Sequence, residues 1–145
     1  LAGAVATLPG LNEPGEDTAV SCVPDALVLF NPGLMMAPFD GVEMKGFGAN
    51  LSAERFGCEP KEISPIHHIR KGLPPTLILH GRDDTTVPYV TVEAFCDAMR
   101  KAGNRCELVG YEGQPHGFFN AAKYTETLAE ADRFLTSLGY LKKKE

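Results

Sequence analysis

The stretch PTLILHGRDDTTVP, from Pro75 to Pro88, decides how this chain is read. Its first half, through Gly81, is a continuous apolar run bounded by a proline and a glycine, the pattern of a parallel strand covered on both faces. Its second half sets Arg82, Asp83 and Asp84 side by side. In parallel sheets the loops after the strands' C-terminal ends collect functional groups, so charge at the end of a buried strand is a candidate site.

Working outward, DALVLFNP (Asp25 to Pro32) repeats the buried-strand pattern, and RCELVGYEG (Arg105 to Gly113) predicts a third strand. Between the last two strands, Tyr89 to about Ala102 is predicted helical. Val92, Phe95, Cys96 and Met99 share one face there, and Gly103 caps the end. A final helix is predicted from about Ala121 to Leu138, with Asn120 as N-cap and Gly139 just past the end. Its expected buried stripe is Tyr124, Leu128, Ala131, Leu135 and Leu138. Leu1 to Leu8 reads as a short helix stopped by Pro9-Gly10, and NEPGED (Asn12 to Asp17) as an acidic loop. Residues 33–60 are rich in Gly, Met and Phe, with one short helix after Ser52. PKEISPI follows as a short helix or turns interrupted by Pro65. Buried strands alternating with helices predict an α/β fold: a parallel sheet with helices on its faces.

The 145 residues are the size of one domain, and 43% hydrophobic residues suffice for a core. Fourteen basic against nineteen acidic residues give a net charge of −5, which argues against nucleic acid as a partner. The basic cluster Lys142-Lys143-Lys144 reads as a solvated tail. No apolar run is long enough to span a bilayer. The four cysteines, Cys22, Cys58, Cys96 and Cys106, form no CxxC pair, so no metal site or cofactor is expected. Their even number permits disulfides without indicating any.

An aspartate after one buried strand and a histidine, His116, after the next can meet across neighbouring loops. A carboxylate there fixes the imidazole's tautomer and steadies its cation, leaving the other ring nitrogen as a general base. Gly81, Gly113 and Gly117 permit tight turns around both. The competing reading is structural: a helix N-cap, or a loop ion pair with Arg82.

These residues also carry a resemblance. PPTLILHGRDDTTVPY followed by YEGQPHGFFN resembles the C-terminal part of an α/β-hydrolase of the esterase/lipase (carboxylesterase) kind. In that family an HGxxDxxVP segment supplies the acid of a Ser–Asp–His triad and a later HGF segment the histidine. SPIHHI (Ser64 to Ile69) and DALVLFNP are similar to the family as well. The resemblance implies a three-layer, partial α/β-hydrolase fold over residues 1–145, with about three C-terminal strands and flanking helices. It implies Asp84 as the acid and His116 as the base, with Asp83 facing solvent or pairing with Arg82. His80 is expected to close the strand end by hydrogen bonds, and His67 and His68 to be packing or surface residues. Residues 33–60 lie where such esterases carry a cap or pocket wall. Met35, Met36 and Phe39, with Phe47 and Phe56, are candidates to line a pocket for a small-molecule ester.

The family's nucleophile is a serine in GxSxG on a strand-to-helix turn. Ser21, Ser52, Ser64 and Ser137 are the serines here, and none has that context; nor is there a GxCxG. LAGAVATL reads as helix from its first residue and is similar to the helix after the nucleophile. The resemblance therefore implies a serine a few residues before Leu1, with the oxyanion donors also outside the 145 residues. On this reading the chain is expected to be inactive alone, and to associate with copies of itself through the sheet edge beside DALVLFNP. The alternatives are a non-catalytic, hydrolase-like interaction module and part of an oligopeptidase-like serine hydrolase.

Overall fold

A computed structural model describes residues 1–10, 12–45 and 50–142. Phe47 and the last two lysines of the basic cluster lie outside the described residues. The chain runs through α1 (Ala2–Thr7), β1 (Leu27–Phe30), α2 (Ala53–Phe56), β2 (Thr76–Gly81), α3 (Tyr89–Lys101), β3 (Cys106–Tyr111) and α4 (Tyr124–Ser137). Single 3-10 turns occupy Pro60–Ile63, Pro65–His68 and Phe118–Asn120. The three strands pair in parallel in the order β1-β2-β3, so the strand read from Thr76 to Gly81 is central.

Position in the sheet explains the burial of each strand. Every residue of β2 is buried, as its unbroken apolar run requires. β1 was expected to be covered on both faces, but it alternates, with Leu27 and Leu29 buried and Phe30 36% exposed. It has a hydrogen-bonded neighbour on one side only among the described residues.

The side-chain period of 2 divides the core in two. On one face Leu27, Leu29, Ile78 and Cys106 pack with α1 and with Val92, Phe95, Cys96 and Met99 of α3. That face of α3 is the one its sequence spacing predicted. On the other face Leu77 and Leu79 pack against Phe134 of α4, flanked by Val28, Val109, Leu135 and Leu138. Helices on both faces make three layers.

The last helix differs from its prediction. It begins at Tyr124 rather than near Ala121, and Asn120 belongs to the preceding 3-10 turn. Its deepest residues are Thr127, Ala131 and Phe134, while Tyr124 and Leu128 are 59% and 48% exposed. The shift amounts to a fraction of a turn, which places Phe134 over the sheet. The predicted end holds: Gly139 has φ 82°, and the N–H of Tyr140 reaches back to the carbonyl of Leu135 at 3.0 Å.

Two buried polar side chains tie loops to this frame. Asn104 accepts from the N–H groups of Gly72 and Leu73 and donates to the carbonyl of Arg70, pinning the approach to β2. Ser64 Oγ accepts from the N–H of Met36 and contacts His67 Nδ1 at 2.9 Å, pinning the start of the 33–60 segment. His67 and His68 are spent on bonds to the backbone carbonyls of Pro38 and Glu62. All four cysteines are free thiols. Among the described residues, no helix is long and apolar enough to cross a membrane.

Candidate active site

Asp84 lies three residues beyond β2, where the chain turns back on itself, and it is 5% exposed. Burying a carboxylate is costly unless its oxygens are satisfied. Here Oδ1 accepts from the backbone N–H groups of Thr86 and Val87, both at 2.9 Å, so the sequence DDTTV wraps around its own aspartate. Oδ2 accepts from Asn31 Nδ2 at 2.8 Å and from His116 Nδ1 at 2.8 Å. Burial by itself would raise the pKa of this carboxyl and make it a weaker acid. The Val87 N–H, the His116 hydrogen bond and the nearby imidazoles outweigh that and hold it below the ordinary carboxylate range. Asp84 is thus an anion at neutral pH.

The adjacent charges separate cleanly. Asp83 is exposed. Arg82 pairs with Glu112 at 2.7 Å and lies over the Tyr89 ring at 4.4 Å, so its partner is Glu112 rather than Asp83.

His116 sits on the loop after β3, its side chain 44% exposed. Gly81 lets that loop lie directly on the end of β2, and the N–H of Asp83 donates to the carbonyl of Gln114 at 3.1 Å. Past His116, Gly117 turns with φ 78°. Phe118 is buried against Tyr111 (ring centroids 4.8 Å apart), and Phe119 packs on Phe30 at 5.0 Å. The two phenylalanines anchor the loop to both outer strands. The imidazole is therefore held by its Nδ1 bond, with Nε2 left for chemistry.

His80 is fully buried on the same carboxylate. Its Nε2 lies 2.8 Å from the carbonyl of Val87 and 3.2 Å from Asp84 Oδ2, and its Nδ1 has no partner. The carbonyl requires the proton on Nε2. A second proton on Nδ1 would be a buried donor without an acceptor, so the ring is neutral. Burial pushes its proton affinity below the ordinary histidine value despite the neighbouring anion.

His116 opens onto a cleft of about 270 Å³ lined by Met35, Met36, Met44, Leu51 and Val87. Phe39, expected beside the methionines, is turned to a different groove by a tight turn with Asp40 and Gly41 at positive φ, bridged between Phe39 and Val42. Its ring meets His67 edge-on at 5.3 Å. That groove, about 910 Å³ along α3, is larger but lacks both Asp84 and His116. Phe56 is half-buried on α2, away from the cleft's lining.

Asn31 was missed by sequence reasoning, which read DALVLFNP only as a buried strand. A non-glycine residue at φ 44°, immediately after a strand, is uncommon, and asparagine tolerates it best. The four serines are engaged elsewhere: Ser21 and Ser52 bond backbone N–H groups beside them, Ser64 bonds Met36, and Ser137 bonds Arg105 and Phe134.

A parallel three-layer sheet with an acid after one strand and an imidazole after the next defines the α/β-hydrolase class, of the esterase kind. Within it, the chain belongs to the prolyl oligopeptidase family, whose model matches residues 37–140. It is similar to esterase 2 of Thermogutta terrifontis. One structure of that enzyme, phosphonylated by sarin, superposes with a TM-score of 0.88 at 45% identity, covering 98% of this chain and 54% of that one. A butyrate-bound structure of the same esterase gives 0.84 at 43%, covering 99% and 54%. The acetylxylan esterase of Xylanibacter ruminicola is 35% identical over 100 residues, 66% of this chain and 20% of that protein. The chain therefore spans about half the length of the solved esterase and a fifth of the acetylxylan esterase.

Proposed function

We propose that residues 1–145 are the C-terminal part of a serine carboxylic-ester hydrolase. In this reading Asp84 is the acid and His116 the base of its triad, and a nucleophilic serine outside these residues completes it. The observation that supports it is the 2.8 Å bond from His116 Nδ1 to the buried, ionised Asp84, at the mouth of a cleft lined by Met35 and Met36. His116 Nε2 takes the serine proton as the hydroxyl attacks the ester carbonyl. The same nitrogen then returns it to the leaving alcohol. Asp84 stays ionised and stabilises the imidazolium between these steps. A water deprotonated by the same nitrogen then releases the acid. Gly33, Met35, Met36, Met44 and Leu51 form part of the pocket wall, and the methionines receive the apolar part of a small ester. The butyrate bound to the similar esterase is of a size that suits such a cleft.

Without the serine and its oxyanion donors, the loss in turnover is on the order of a millionfold. The 145 residues alone are then inactive. The test is p-nitrophenyl butyrate hydrolysis. In the complete enzyme, His116→Ala lowers kcat on the order of 10⁶-fold and Asp84→Ala on the order of 10⁴-fold. Saturable turnover by the 145 residues alone, lost in His116→Ala, would instead place the nucleophile among them and overturn the division of the triad.

A peptidase reading is favoured by one observation, the match to the prolyl oligopeptidase family. It uses the same acid and base and differs in the bond cleaved. Faster cleavage of peptide anilides than of short-chain esters by the complete enzyme would select it.

A further inference from the structure

The side chain that joins the two loops of the candidate site belongs to neither of them. Asn31 follows β1, fifty-three residues before Asp84 and eighty-six before Gly117, and it is 5% exposed. Its Nδ2 donates to Asp84 Oδ2 at 2.8 Å, and its Oδ1 accepts from the N–H of Gly117 at 3.3 Å. The two partners set the amide's orientation without ambiguity, because a carboxylate only accepts and a backbone N–H only donates. The oxygen that Asn31 holds is the same one that receives His116 Nδ1, and the N–H it holds belongs to the residue after His116. Its own backbone is fixed as well, its N–H donating to the carbonyl of Leu79 at 3.0 Å.

We propose that Asn31 is a positioning residue of the hydrolytic site, clamping the acid's carboxylate and the base's loop to the end of β1 so that His116 and Asp84 stay in register. The role rests on the hydrolase reading above.

The choice of residue follows from three simultaneous demands. The backbone sits at φ 44°, which glycine, asparagine and aspartate tolerate and β-branched residues do not. The side chain must donate to an anion, which excludes aspartate, since a second carboxylate against Oδ2 would repel it. It must also accept from an amide, which excludes glycine. Of glycine, asparagine and aspartate, asparagine is the one whose side chain has both a donor and an acceptor.

Asn31→Gly is the informative variant, because it removes the clamp while leaving the backbone unstrained. Histidine-labelled 145-residue protein should show the His116 Nδ1–H as a downfield, slowly exchanging proton resonance, absent in His116→Ala and Asp84→Ala. Asn31→Gly should lose or broaden it and speed exchange of the Gly117 amide, while the β2 amides keep their protection. A resonance and Gly117 protection unchanged from wild type in folded Asn31→Gly overturn the proposal. Should Asn31→Gly not fold, Asp84→Ala gives the reciprocal reading. The Asn31 side-chain amide protons must then shift on loss of their acceptor, and unshifted signals count against the clamp.

The complete enzyme separates this inference from the reading it rests on. With p-nitrophenyl butyrate, Asn31→Gly should lower kcat about 10- to 100-fold with KM within about twofold, the scale of a misplaced catalytic group. Full activity in Asp84→Ala removes the hydrolase reading itself. An inactive Asp84→Ala beside a fully active Asn31→Gly, or one altered in KM alone, removes only the role of Asn31.

Discussion

Gly81 and Gln114 touch backbone to backbone. A Cβ added to Gly81 would lie 2.1 Å from the carbonyl oxygen of Gln114 and 2.9 Å from that of Pro115. Both neighbours are main chain, so nothing flexible can yield, and the loop that carries His116 would have to lift. Gly81→Ala is expected to destabilise the protein by about 1–3 kcal/mol, the range for overpacking. It should also abolish the His116–Asp84 contact, read as loss of the His116 Nδ1–H resonance. A variant of wild-type stability that keeps that resonance would contradict the close approach.

Stability should fall with acid in two stages. His80 is held below its unfolded value of roughly 6.5 by burial. Between its folded and unfolded values the unfolded chain binds a proton that the native chain refuses. Stability therefore drops as pH falls through that window. His67, also lowered chiefly by burial, adds in the same direction. Asp84 is held below its unfolded value of roughly 3.9, so the stability of its anion is present above that pH and is lost as pH falls through the folded value. Urea midpoints measured from pH 7.5 to 3 should show both stages. His80→Gln should flatten the upper one and Asp84→Asn the lower. Stability that rises on going from pH 7.5 to 5.5 would refute the neutral assignment of His80.

The face of α4 can be checked by a pair of substitutions. Phe134 is fully buried against Leu77 and Leu79, and Phe134→Ala should cost about 3–5 kcal/mol. Leu128 is 48% exposed, and Leu128→Ala should stay within about 0.5 kcal/mol. Comparable losses from the two in urea denaturation would restore the stripe drawn from sequence.

The thiols should react in order of exposure. Cys22 is exposed, whereas Cys96 and Cys106 are buried against each other, and the bonded Cys96 thiol together with burial pushes Cys106 well above the ordinary thiol range. A thiol-specific disulfide reagent should modify Cys22 at once. Cys96 and Cys106 should react only on unfolding. Rapid labelling of all four in native buffer would show that the α3–β3 contact opens.

The outer edge of β1 is unpaired among the described strands, and Phe30 beside it is 36% exposed. Such an edge is a template for another chain. We expect the 145 residues to form dimers or larger assemblies by light scattering, and Phe30→Lys to shift them toward monomer. A wild-type monomer at millimolar concentration would remove the edge as an interface.

Much of this was legible in the residues because the signals are local or periodic. The apolar run before Gly81 specifies a central strand, since only a strand with neighbours on both sides buries every residue. The spacing of Val92, Phe95, Cys96 and Met99 specifies the inner face of α3. The resemblance carried by the HGxxD and HGF segments implies Asp84 and His116 as a pair, and the three-dimensional structure sets them 2.8 Å apart. The burial of β1 and the phase of α4 were misjudged for a common reason. Hydrophobicity states what can be buried, and neighbours decide what is.

What only the tertiary structure decided is the set of contacts between segments far apart in the chain. Arg82 could have paired with Asp83 beside it, but adjacent strands bring Glu112 to it instead. Phe39 has the character of a pocket residue, and one tight turn sends it to the other groove. Asn31 shows no pattern at all in sequence, because its meaning lies in two hydrogen bonds to loops fifty and more residues away. By itself, the sequence determined which residues could form a buried strand and a helix face, and which carboxylate and imidazole follow the strands. Their distances and partners arise only when parallel strands set their loops side by side.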